Sequence, residues 1–324
     1  MAVIMGSGEY TYELVEGWGK LPDGDDWDFK DVAAVAVDAK DQVYVFNRGG
    51  RHPVMVFDRD GNYLRSWGEG LFKRAHGAYT APDDTLWLTD DGNSVVRRCT
   101  TDGKVLLTLG VPGEPSPYMS LQPFNRCTHT AMSPEGDVYV SDGYGNARIH
   151  KYSPDGKLLL SWGEPGTEPG QFNIPHNVCC DADGWVYVAD RESHRVQVFN
   201  GKGKYETQWN NLHRPNSIYM RPGRCHICYV GEGGPTASVN AKSPGLGPRV
   251  SILDMQGKLI ARIGDHKGFG MKPGQFMSPH GLTVDSEGSI YVSEVGATRL
   301  AKNDPGGALP KELSTLRKLR KIAA

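Results

Sequence analysis

Short runs in which apolar and polar residues alternate recur along the chain, and Arg195-Val-Gln-Val-Phe199 is typical. A period of two sends successive side chains to opposite faces of a strand. Turns such as Asp181-Ala-Asp-Gly184 and Asp285-Ser-Glu-Gly288 separate the runs and suit tight hairpins. One segment returns six times: Tyr44-Val-Phe-Asn47, Trp87-Leu-Thr-Asp90, Tyr139-Val-Ser-Asp142, Tyr187-Val-Ala-Asp190, Tyr229-Val-Gly-Glu232 and Tyr291-Val-Ser-Glu294. Successive copies start 43, 52, 48, 42 and 62 residues apart. After several copies comes a turn and then a strand ending in Trp-Gly, most clearly at Asp155-Gly-Lys157 and Trp162-Gly163. Each unit reads as four strands. A four-stranded unit of about 40–50 residues, repeated six times, predicts an all-β fold, a six-bladed β-propeller.

Residues 1–309 are expected to form that single propeller. The sixth unit supplies strands around Leu282, Tyr291 and Arg299, but no Trp-Gly strand follows Asn303. Such a strand stands at the other end of the chain, from Tyr12 to Gly19. The N-terminal strand is therefore expected to close the sixth blade and leave no free sheet edge. Residues 310–324 read as a separate basic tail. Leu313, Leu316 and Leu319 fall at helical spacing beside Arg317, Lys318, Arg320 and Lys321, which predicts a short surface helix. The Gly-, Pro- and Ser-rich stretch Gly231 to Pro248 interrupts the fifth unit, as a substrate lid or as a plain inter-strand loop.

Composition fits this picture. The 41 Gly and 21 Pro among 324 residues are scattered singly, as turn punctuation rather than low-complexity tracts. A net charge of −2 gives no bulk field for nucleic acid, and no nucleic-acid partner is expected. No run is apolar enough for a membrane span. The first residues lack the pattern of a signal peptide, so a cytoplasmic protein with six free cysteines is expected.

His76, His176 and His280 each stand 11 residues before the aromatic anchor of their unit, in units two, four and six. The corresponding positions of units one, three and five are Ala33, Thr128 and Asn216. Inner strands of a propeller line its channel, so residues of one register in alternate blades converge on the axis. Three imidazoles with an open fourth position suit zinc, and imidazole also suits iron, copper and nickel. Among the other histidines, His129 follows Thr128 and is a candidate for the channel; the rest, His266 included, read as surface or packing residues.

The residues after each repeated segment ring the mouth that holds the histidines: Arg48, Asp91, Gly143-Tyr144, Arg191, Gly233 and Val295. Two arginines beside a metal suit a substrate with a carboxylate, gripped by paired hydrogen bonds. A tyrosine there is a candidate general base or fourth ligand.

These residues resemble the catalytic core of peptidyl-α-hydroxyglycine α-amidating lyase, a six-bladed propeller of the NHL-repeat superfamily. The likeness spans roughly Val32 to Arg299. It includes Ala75-His-Gly77, Val140-Ser-Asp-Gly-Tyr-Gly-Asn-Ala-Arg148, Gly170-Gln-Phe172 with Pro175-His176, Ala189-Asp-Arg-Glu192 and Pro279-His280. The resemblance implies zinc on His76, His176 and His280, Tyr144 as the catalytic tyrosine, and Arg48 and Arg191 on the substrate side. It implies cleavage of an α-hydroxylated glycine, a carbinolamide, into an amide and glyoxylate. The sequence also departs from the family. Gly145, Tyr187 and Val198 stand where disulfide cysteines are expected, and Gly281 replaces an acidic residue of a structural calcium site, which argues against Ca²⁺. The residues alone leave two other functions open. One is a metal-dependent hydrolase or hydratase acting on a small carboxylated molecule. The other is a non-catalytic NHL binding scaffold.

Overall fold

The computed structural model describes residues 2–48, 50–223, 225–237, 239–241, 243–264, 268–304 and 306–322. Five four-stranded antiparallel sheets and one five-stranded sheet follow one another around a ring. Blades one to five run from Val32–Val37 to Leu259–Ile263, each with its first strand innermost. The six-bladed propeller expected from the repeat is the fold observed.

The repeated segment is the second strand of every blade. All five residues of Val43–Asn47, Leu86–Asp90, Val138–Asp142, Val186–Asp190 and Ile290–Glu294 are buried, because each sheet packs against both neighbours. Tyr44, Phe46, Val54, Leu86 and Leu88 form one of these inter-blade layers. The polar positions of the repeat hold its turns. The aromatic hydroxyls of Tyr44, Tyr187 and Tyr291 donate to Asp38, Asp181 and Asp285 at 2.9, 2.7 and 3.1 Å, and each of these aspartates also accepts backbone N–H groups of its own turn.

The acid that ends five of the six repeats works on the opposite face. Asp90, Asp142, Asp190 and Glu294 accept N–H groups of Arg74, Asn125, Asn173 and Met277, at 2.7–3.1 Å. Each therefore fastens the loop that leads into the inner strand of its own blade. A cation from the third strand partners the same acid, as with Arg195 on Asp190 at 2.8 Å and Arg249 on Glu232 at 2.7 Å. Such buried carboxylates are tolerable only because they are paired and hydrogen-bonded.

Blade six uses both ends of the chain. Its strand order is Pro279–Val284, Ile290–Glu294, Leu316–Lys321, Tyr10–Val15 and Ile4–Ser7. The N-terminal strand joins this blade as the pattern predicts. The tail differs: Leu316–Lys321 is a strand, not a helix, and it lies between Ile290–Glu294 and Tyr10–Val15. The tail is therefore part of the propeller rather than a separate segment. Leu316 and Leu319 are both buried because the strand is covered on both faces, and such a strand loses its period-two signal. Arg317 supplies the third-strand cation of this blade, 3.5 Å from Glu294. Gly296–Asn303, where the pattern predicts a strand around Arg299, is a helix on the mouth face. It approaches closely at Gly296, where a Cβ would lie 2.5 Å from Thr315. Among the described residues no helix is long and apolar enough to cross a membrane. All six cysteines are free.

Candidate metal centre

The pairing of inner and second strands slips by one residue at Ala75/Gly77, Pro175/Asn177 and Pro279/Gly281. The residue left over is in each case the histidine. A bulge leaves its extra residue out of the ladder and re-aims its side chain, here toward the channel axis. Blades one and five bulge at the same register, at Ala33 and Asn216.

His76, His176 and His280 meet on the axis, each at most 5% exposed. Their ring centroids lie 4.7–4.8 Å apart, and one nitrogen from each falls within 4.8 Å of the others. The other nitrogen is anchored. Nδ1 of His76, His176 and His280 lies 2.6, 2.7 and 2.7 Å from the carbonyl oxygens of Thr128, Asn216 and Ala33. A carbonyl only accepts, so Nδ1 carries the proton and Nε2 is left with a lone pair facing the axis. The blades without histidine thus supply the groups that orient the blades with it. The carbonyls preceding the histidines are held in turn. Thr128 Oγ1 donates to Pro175 O at 3.0 Å, Asn216 Nδ2 to Pro279 O at 2.7 Å, and Arg48 Nε to Ala75 O at 3.0 Å.

All three histidines titrate well below the usual histidine range. Burial is the main cause; a charge on His76 is further opposed by its partner imidazoles His280 and His176, one on His176 by Arg191, and one on His280 by Arg48. The imidazoles are therefore neutral near pH 7, the state a metal requires. Three Nε2 atoms, each with its second nitrogen fixed to an oxygen, form a donor set that fits a divalent ion such as zinc. A Cβ on Gly281 would lie 2.7 Å from Ser293 Oγ and 2.9 Å from Ala34 Cα, so a side chain at this position would force its neighbours to move.

Tyr144 is brought to the triad. Its hydroxyl lies 2.9 Å from His76 Nε2 and 3.0 Å from His176 Nε2. Arg191 Nη1 reaches the same hydroxyl at 3.5 Å, and the Arg191 and Arg126 guanidiniums lie 5.5 and 4.6 Å from the Tyr144 ring centroid. Arg191 is fixed by Glu192, 2.8 Å from its Nε. Burial raises the Glu192 carboxyl, but Arg214 and Arg191 outweigh it and hold the group at about 2. Arg48 is also near, yet much of its donor capacity is taken by Ala75 O, Asp31 and Thr298.

On the far side of the triad, a cavity of about 300 Å³ runs along the inner strands past His129, Met132, Cys179 and Tyr219. His129 therefore reaches the channel wall, where burial lowers its pKa to about 4. His150 is buried against Asp142 and Ser161, and His266 lies outside the described residues. Asp91 is buried beneath Arg74 and Arg126 rather than lining the mouth. Arg74, Arg126 and Arg214 were not among the residues expected at the mouth, although their register carries a signal. Each stands two residues before a ring position, namely His76, Thr128 and Asn216.

Comparison with known proteins gives one family and one fold. Residues 172–199 match the model of the NHL repeat family. Human NHL repeat-containing protein 3 is 30% identical, over 94% of this chain and 87% of that protein. Peptidyl-alpha-hydroxyglycine alpha-amidating lyase 1 of Drosophila melanogaster is 32% identical over 75% of this chain, which spans 46% of that protein. A gluconolactonase from Xanthomonas campestris superposes with a TM-score of 0.62 at 14% identity, over 99% of this chain and 98% of its own. A streptogramin B lyase does so with a TM-score of 0.56 at 12% identity, over 96% and 86%.

Proposed function

The chain belongs to the NHL repeat-containing family, and within it we propose a zinc-dependent lyase that cleaves an α-hydroxyglycine-type carbinolamide into an amide and glyoxylate. One observation carries the proposal: three histidines converge on the axis, two of their Nε2 atoms lie 2.9 and 3.0 Å from one tyrosine hydroxyl, and an arginine lies 3.5 Å from that hydroxyl. A purely structural histidine has no need of that convergence. The similarity to the Drosophila amidating lyase supports the same chemistry.

The reaction is an elimination without redox change. The carbinol O–H loses its proton, the C–O bond becomes a carbonyl, and the C–N bond breaks with its electron pair going to nitrogen. That nitrogen takes a proton and leaves as the amide. When bound at His76, His176 and His280, zinc supplies Lewis-acid polarisation of the substrate hydroxyl. Tyr144 Oη, with Arg191 Nη1 3.5 Å away, is the atom that as a phenolate accepts the hydroxyl proton and passes it toward the leaving nitrogen. Arg191 and Arg48 hold the carboxylate that becomes part of glyoxylate, and so set which carbon faces Tyr144. The test joins metal content to product identity. The purified protein is expected to bind about one zinc per chain, to lose it on His176→Ala, and to release glyoxylate only with zinc bound. A metal-binding protein that hydrates or hydrolyses carboxylated substrates without glyoxylate would favour the hydrolase or hydratase reading.

A further inference from the structure

The rim around Tyr144 is more positive than one carboxylate requires. Its carboxylates are outnumbered. Asp91 Oδ2 accepts from both Arg74 and Arg126, at 2.7 and 2.9 Å, and Glu192 Oε1 from both Arg191 and Arg214, at 2.8 and 2.6 Å. Each group keeps one uncompensated positive charge. This surplus sits on a chain whose net charge is −2, so it is local and costs self-repulsion that a bound anion would relieve.

The surplus also has depth. Arg191 is 13% exposed, close to the triad, whereas Arg74 and Arg126 are 35% and 47% exposed at the rim. Arg126 and Arg191 both lie over the Tyr144 ring, so their guanidinium carbons are no more than about 10 Å apart. That separation is within reach of the two ends of a short diacid. The rim arginines share the register two residues before the channel ring, which aims them at one mouth rather than scattering them over the surface.

We propose that Arg74 and Arg126 form a second anion subsite, and that the natural ligand is a small molecule with two anionic groups, such as an acyl-α-hydroxyglycine whose acyl chain ends in a carboxylate. The proposal rests on the reading above, in which Arg48 and Arg191 hold the first carboxylate.

The test is calorimetric titration of the full-length, metal-stripped protein with glutarate and with butyrate, which differ in the second carboxylate. Glutarate should bind about ten-fold more tightly. Arg74→Gln should weaken glutarate several-fold and leave butyrate unchanged, and Arg74→Glu should abolish the preference; the thermal transitions of both variants confirm folding. Equal affinity for the two acids, no binding of either, or an equal loss of both in Arg74→Gln overturns the subsite. A parallel assay of glyoxylate from N-acetyl-α-hydroxyglycine separates the two readings. A diacid preference without glyoxylate sinks the lyase and keeps the subsite, while glyoxylate without a diacid preference sinks the subsite alone.

Discussion

At the scale of single residues, metal binding and turnover should separate. Tyr144 touches two histidines but completes neither of their anchors, so Tyr144→Phe should keep the metal and lose glyoxylate release by at least about 100-fold. Retained turnover in a metal-loaded Tyr144→Phe protein would exclude Tyr144 as the base. Asn216 makes the opposite case. Its side chain holds Pro279 O, next to His280, so Asn216→Ala should weaken zinc about ten-fold by competition with a chromogenic chelator. Glu192 gives a pH signature. Its pKa is about 2 in the folded state and ordinary in the unfolded chain, so its contribution to stability is full above about 4.5 and is lost as pH falls toward 2. Denaturant midpoints should therefore fall less steeply across that window in Glu192→Gln than in the parent protein. At this scale the histidines, Tyr144 and both arginines were legible, because a repeat register is written in side chains. The carbonyls of Ala33, Thr128 and Asn216 were not, since a backbone oxygen carries no letter.

At the scale of elements, the strand Leu316–Lys321 carries the clearest consequence. It stands between the second strand of blade six and the N-terminal strand, and its Arg317 partners the buried Glu294. Arg317→Ala should destabilise the protein by about 3 kcal/mol in chemical denaturation, because Glu294 would stay buried without its cation. Lys321→Ala at the exposed end of the same strand should fall within about 0.5 kcal/mol of the parent protein. Equal effects would mean that the tail strand does not secure the ring through its ion pair. The strand was hidden in the sequence because Leu313, Leu316 and Leu319 imitate a helical stripe. Its readable clue was chemical: a basic residue to match the third-strand arginines Arg195 and Arg249. The helix Gly296–Asn303 was hidden for a related reason. It replaces the expected strand only because the tail has taken the third-strand place.

At the scale of the whole molecule, a nearly neutral ring concentrates positive charge at one mouth and closes the axis beneath it with three neutral histidines. Such a field should act on capture more than on chemistry. KM for a carboxylated substrate should rise with ionic strength while kcat stays nearly constant. The propeller was legible from the outset, because six copies of one buried strand leave few other ways to pack. Blade closure was legible only by half, since one end of the chain announced itself with Trp18-Gly19 and the other did not. A mouth that breaks a carbinolamide is recognised by its products. With α-hydroxyhippurate as substrate, zinc-loaded protein should release benzamide and glyoxylate in equal amounts, stop when the metal is chelated and resume when zinc is returned. Zinc-loaded protein that leaves α-hydroxyhippurate intact, or yields benzamide without matching glyoxylate, would contradict the proposed reaction.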